Sequence, residues 1–295
     1  MKTKTTLLVL MSLAMVAFTS CGEDESETLV NNDRTTITFN VKGLQITMEQ
    51  TRATMISDAF PMLELALYKK NDDGTYTKYM DVSQENTNPS YGSITLENVR
   101  CGTYKLVTIG HNDSSHPDIS DPKNITFENY PNTYSYSNDI VVTKTTTSYD
   151  VPLEHSSARI RFQLSGYIPD EVKKMQYTIQ GASNSLNAIT GFAASKGDRV
   201  IEVDITDSQR TSKSITGSAY IFLEKDELTS SDSYVNVTIA GLKSNNEVVD
   251  SKTYNNVPLK VGYATIFSGV FFEYGNASFN ITVNTSWGTY ETIDL

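Results

Sequence analysis

The chain has 295 residues, 35 of them acidic against 24 basic, for a formal net charge of -11. A chain this acidic, with no basic cluster, is unsuited to nucleic acid or to electrostatic docking on anionic lipid. Beyond the N-terminus no apolar stretch approaches the ~18 residues of a membrane-spanning helix, and the length suits two domains of ordinary size.

Lys2 and Lys4 stand ahead of an apolar run from Leu7 to Phe18, interrupted only by Ser12. That is a charged n-region and an h-region of about a dozen residues, too short to span a bilayer. The run ends in Ala17-Phe18-Thr19-Ser20-Cys21, small residues directly before a cysteine, which resembles the lipoprotein box of bacterial lipoproteins. Residues 1–20 are therefore expected to be a signal peptide, with Cys21 the first mature residue and the site of lipidation. Glu23-Asp24-Glu25-Ser26-Glu27 resembles the surface-export signal of lipoproteins in Bacteroides-type bacteria. Residues 21–32 then form an acidic tether, and several acyl chains on Cys21 would anchor the protein outside the cell, on the outer membrane. Cys101 is the other of the two cysteines. With Cys21 acylated no intrachain disulfide forms, and Cys101 is expected to be a small buried hydrophobe.

Strand signals follow. Ile37, Phe39 and Val41 alternate with Thr38 and Asn40, the period of a half-buried strand. Leu63, Leu65 and Leu67 alternate with Glu64 and Ala66, and Asn71-Asp72-Asp73-Gly74 then turns the chain. Two more strands are expected around Ile94 and Leu96 and around Tyr104, Leu106 and Thr108. The polar stretch from His111 to Ser137 reads as a long surface loop. Ile140 to Val142 close the first half, and Thr145-Thr146-Thr147 suits a boundary. In the second half Ala158, Ile160, Phe162 and Leu164 alternate strictly with Arg159, Arg161 and Gln163. Val203 and Ile205, then Val235, Val237 and Ile239, then Phe279, Ile281 and Val283 repeat that pattern, and only short helical pieces are expected, for example around Asp170 to Lys174. Short alternating strands with frequent turns imply antiparallel sheets packed face to face. The expected architecture is all-β: two tandem antiparallel β-sandwiches, over residues 33–148 and 149–295.

Catalytic signatures are absent from the sequence: there is no G-x-S-x-G, H-E-x-x-H, P-loop or G-x-G-x-x-G pattern. No enzymatic activity, cofactor or metal is expected. His111-Asn112-Asp113 and His116-Pro117-Asp118, with Asp121 beyond, place nitrogen and oxygen ligands on one loop, yet solvated loop polarity accounts for the same residues. Tyr130, Tyr134 and Tyr136 crowd one segment, where packing over the sandwich end competes with carbohydrate or protein contact.

Leu96-Glu97-Asn98-Val99-Arg100-Cys101-Gly102-Thr103-Tyr104-Lys105-Leu106 resembles the strand-turn-strand signature of transthyretin-like domains, in which a Gly makes the turn and the Tyr and Leu point inward. Val151-Pro152-Leu153-Glu154-His155-Ser156-Ser157-Ala158-Arg159-Ile160 resembles the start of the second domain of the fimbrillins, the subunits of the type V pilus. Ile189-Thr190-Gly191-Phe192 and the segment Ala264 to Phe272 are similar to the same family. The resemblance implies a lipid-anchored pilus subunit at the outer surface, with structural and adhesive roles. Its partners would be other pilus subunits, joined by strand exchange, and a host protein or glycan. Sheet edges fit that mode, because a neighbour's strand satisfies their unpaired N–H and C=O groups. By the same resemblance, a protease would cut after Arg52 in Gln50-Thr51-Arg52-Ala53-Thr54, freeing the Thr36 to Val41 strand. The Phe279 to Val283 segment is a candidate donor or an edge strand of its own domain. The alternative is a surface lipoprotein that binds glycan or a host ligand without polymerising.

Overall fold

The alternation of the first strand is read directly in its burial. In β1 (Arg34–Lys42) the side chains of Ile37, Phe39 and Val41 turn inward and are at most 5% exposed, while Thr38 and Asn40 face outward. The computed structural model describes residues 33–42, 60–224, 232–272, 280–286 and 289–293. After β1 come β2 (Met62–Lys70), β3 (Tyr76–Glu85), β4 (Ser93–Arg100), β5 (Gly102–His111), β6 (Ile125–Thr126), β7 (Thr133–Val142), β8 (Ser148–Pro152) and β9 (Glu154–His155). One sheet runs β4-β1-β8 and a second runs β3-β2-β5-β7-β9. They enclose a common core, in which Ile37, Phe39, Ile94 and Val151 meet Leu63, Leu65, Leu67 and Leu106.

The second half contains β10 (Ala158–Ser165), β11 (Lys174–Gln180), β12 (Ser185–Asn187), β13 (Phe192–Ala193), β14 (Asp198–Asp204) and the short helix α1 (Asp207–Ser212). It continues with β15 (Ser214–Ile221), β16 (Asp232–Leu242), β17 (Val248–Lys260), β18 (Ala264–Val270), β19 (Asn280–Ser286) and β20 (Thr289–Ile293). Its sheets are β15-β10-β18-β19-β20 and β14-β11-β16-β17. Ile160, Phe162 and Leu164 of β10 pack on Tyr177, Ile179, Val237 and Ile239 of the facing sheet, with Phe162 stacked on Tyr177 at 3.9 Å between centroids. The fold is all-β, as the alternation implies. Both halves follow one plan: the order β4-β1-β8 corresponds to β15-β10-β18, and β3-β2-β5-β7 to β14-β11-β16-β17.

Four features depart from the sequence expectation. First, each half holds one parallel pair, β1 with β8 and β10 with β18. The strand that opens each half is joined there by a strand from late in that half, after the chain has crossed to the facing sheet and returned. Second, Asp170 and Glu171 make only a turn and Lys174 already opens β11, while the helix is α1. Thr206 and Gln209 cap it reciprocally, a T-x-x-Q signal present in the sequence. Third, β8 and β9 pair with β1 and β7, so the chain up to His155 remains in sheets of the first half.

The fourth concerns the stretch from His111 to Ser137, which is no plain surface loop. Its end is β7, and its middle covers the outer face of β2 and β5. Ile119, Ile125 and Phe127 pack there on Ala66, Tyr68, Val107 and Ile109, and on Leu186, Ala188 and Phe222 of the second half. β6 pairs with β12, and the Arg199 guanidinium lies 3.8 Å from the centre of the Tyr130 ring. A third core thus joins the two halves, built from three apolar residues scattered in a polar segment.

Candidate functional site

β1 fills a slot between two strands of its sheet. On one side β1 runs antiparallel to β4, with Ile37 opposite Leu96 and Phe39 opposite Ile94. On the other it runs parallel to β8, with Phe39 opposite Tyr149 and Val41 opposite Val151. The N–H of Val41 donates to Gly92 O at 2.7 Å and that of Thr38 to Thr147 O at 2.9 Å. Phe39 also stacks on Tyr149 at 5.9 Å. Without β1, two strands would lose their ladder partners and three apolar pockets would open. Each of these side chains stabilises the slot by roughly 1.5–3 kcal/mol through burial. The slot is thus filled by a strand whose apolar side chains alternate with polar ones.

Arg52 falls between β1 and β2, within residues 43–59, and lies outside the described residues, as does Cys21. Ile281 and Val283 belong to β19, where they oppose Phe267 and Thr265 of β18. The segment thus lies within the sheet of the second half but is not its edge, because β20 pairs with β19 on the far side; Phe279 lies outside the described residues.

His111 and His116 converge on a residue that sequence reasoning did not single out, Glu64. It points away from Leu63 and Leu65, under the covering stretch, and is 2% exposed. His116 Nδ1 lies 2.7 Å from Glu64 Oε1, and the Ser83 hydroxyl donates to Oε2. The Asp113 N–H donates to His111 Nδ1 at 3.2 Å, which leaves the proton of that ring on Nε2, 3.6 Å from Glu64 Oε1. Burial pushes the Glu64 carboxyl up, but the contacts with His111, Ser83 and His116 outweigh it and hold the group below the usual carboxylate range. The bond to Glu64 and the charge on it raise His116, against a smaller opposing effect of burial. Among the described residues no group of three or more His, Cys, Asp and Glu is arranged to hold a metal ion. The cluster works instead as a fastening of the covering stretch to β2.

Its pH dependence has a definite sign. The lowered carboxyl contributes stability above its ordinary value of 4.5 and loses it as pH falls through the folded value. The raised imidazole contributes fully below 6.5 and loses it as pH rises through its higher folded value. The fastening is strongest between those limits. Protease cleavage within residues 112–132 should therefore accelerate from mildly acidic to alkaline pH, and Glu64→Gln should flatten that profile. An unchanged profile in Glu64→Gln would assign the protection to the apolar contacts alone.

The remaining candidates are structural. Tyr134 is buried against Phe60, with centroids 5.1 Å apart, Tyr136 is half-buried, and Tyr130 carries Arg199. Cys101 is half-buried rather than a core residue, with its N–H bonded to Asp33 O at 2.7 Å. Beside it Gly102 makes the turn, Tyr104 and Leu106 point into the core, and the Tyr104 hydroxyl donates to Arg100 O at 2.9 Å.

A family model described as "Family of unknown function (DUF6562)" matches residues 26–292. No curated protein matches the chain. Among solved structures, a candidate adhesin of Bacteroides ovatus is similar with a TM-score of 0.52 at 14% identity, over 79% of this chain and 87% of its own. A second candidate adhesin of that species gives 0.51 at 13% identity, over 88% and 95%. A candidate polysaccharide-binding protein (DUF1812) of Bacteroides thetaiotaomicron gives 0.51 at 13%, over 89% and 99%. At such identities the likeness is one of fold.

Proposed function

Because the chain belongs to the DUF6562 family, whose function is unknown, and folds as the candidate adhesins of Bacteroides ovatus do, we propose that it is a fimbrial subunit of the cell surface. In this reading lipid on Cys21 holds the protein at the outer membrane, and assembly proceeds by β-strand exchange with other subunits. The role is structural and adhesive, and the two sandwiches are successive domains of a pilus building block.

The observation that carries the proposal is the position of β1. It is an inner strand, paired on both sides and apolar on its inward face, and residues 43–61 connect it to β2. A single cut after Arg52 would remove the covalent tie to β2 while leaving every non-covalent contact of β1 in place. A neighbour's strand could then take over the ladder positions on β4 and β8.

N-terminal sequencing of protein from the cell surface tests this. Chains that begin at Ala53, together with oligomer ladders on unboiled denaturing gels, are the expected result. Full-length, lipid-blocked monomers would overturn strand exchange and favour a non-polymerising surface lipoprotein. The anchor is tested separately: Cys21→Ala should move the protein out of the membrane fraction and abolish fatty-acid incorporation.

A further inference from the structure

Beside the third core, where the two halves meet, lies a cleft of about 300 Å³. That is the small end of the range that holds organic ligands, roughly 300–1,000 Å³. The first half supplies one wall. Ser135 of β7 is opposite Glu154 of β9, so both occupy one face of the sheet, and Ser137 follows two residues on. The other wall is the turn carrying Ile189 and Thr190.

Both walls are rigid. The Ser135 and Ser156 hydroxyls bond each other at 2.6 Å. Asn187 fastens the turn, accepting from the Ile189 N–H at 3.1 Å and, through its carbonyl, from the Gly191 N–H at 2.8 Å. The Ala188 N–H is held by Pro122 O at 2.9 Å. Ser137 Oγ, by contrast, is buried without a partner among the described residues, a state that costs free energy until something bonds it.

The chemistry of the lining selects the ligand. Hydroxyls both donate and accept, the Glu154 carboxylate accepts from two adjacent donors, and Pro152, Ala188 and Ile189 add apolar surface. Among the described residues no lysine or arginine lines the cleft, and burial pushes His155 down to about 4, so that imidazole is uncharged at neutral pH. A phosphate, sulfate or carboxylate would meet no counter-charge there and would face Glu154. A purely apolar ligand would strand the hydroxyls.

We propose that this junction cleft binds a neutral saccharide residue, held by hydroxyl groups of both halves and by Glu154. No residue of β1 takes part, so the site is independent of strand exchange. Because the ligand touches both halves, it stabilises their junction by mass action.

The test is saturation-transfer NMR and thermal unfolding of the soluble mature chain with maltotriose, cellotriose, xylotriose and chitotriose, beside trigalacturonate and inorganic phosphate. At least one neutral probe should bind and raise the melting temperature. Glu154→Leu and Thr190→Trp, both at exposed positions, should weaken it tenfold or more, while Arg161→Ala on β10 leaves it unchanged. The proposal fails if no neutral probe binds, if the blocked Thr190→Trp cleft binds equally well, or if the anionic probes bind as tightly.

Discussion

Phe162→Ala should lower the unfolding free energy by about 3–5 kcal/mol. The ring is 1% exposed, stacks on Tyr177 at 3.9 Å and lies 5.5 Å from Phe267. β10 is an inner strand, held by β15 and β18, so its backbone has little freedom to close the cavity. Arg161→Ala, one residue away on the opposite face, should change stability by about 0.5 kcal/mol or less. Urea unfolding of the two variants measures the difference. Equal losses would mean that β10 does not present Phe162 to the core.

Phe39→Ala should be of similar size in the intact chain, about 3–5 kcal/mol, but its more telling effect is on exchange. With a specific protease site placed at residues 50–54 and then cut, β1 is held only by its ladder and its three buried side chains. A labelled peptide of residues 34–42 should replace it slowly in the cut chain and not at all in the uncut one. The Phe39→Ala peptide should compete at least tenfold less well, because Phe39 fills the space between Ile94 and Tyr149. An Asn40→Ala peptide, altered on the outward face, should compete like the native one. Equal competition by all three peptides would show that the slot does not read side chains, and strand-specific assembly would lose its physical basis.

The strands themselves were legible because alternation is local. Whether Ile160, Phe162 and Leu164 share a face depends only on the two-residue period of an extended chain, and that period is written in consecutive residues. The same holds for Ile37, Phe39 and Val41, and so the all-β class and the inward faces of these strands could be read without coordinates. The reciprocal cap of Thr206 and Gln209 is equally local.

Pairing and covering were decided only by the tertiary structure. Nothing near β1 in sequence says that β8, more than a hundred residues on, will lie parallel to it. Glu64 illustrates the limit best. Between Leu63 and Leu65, alternation assigns it to solvent, and it does leave the first core. That outer face is then roofed by Ile119, Ile125 and Phe127, and the carboxylate survives burial because His116, His111 and Ser83 surround it. The two-residue period tells which side of a sheet a residue takes. What covers that side depends on where distant segments come to rest, and for Glu64 and the junction cleft only the packed chain decides it.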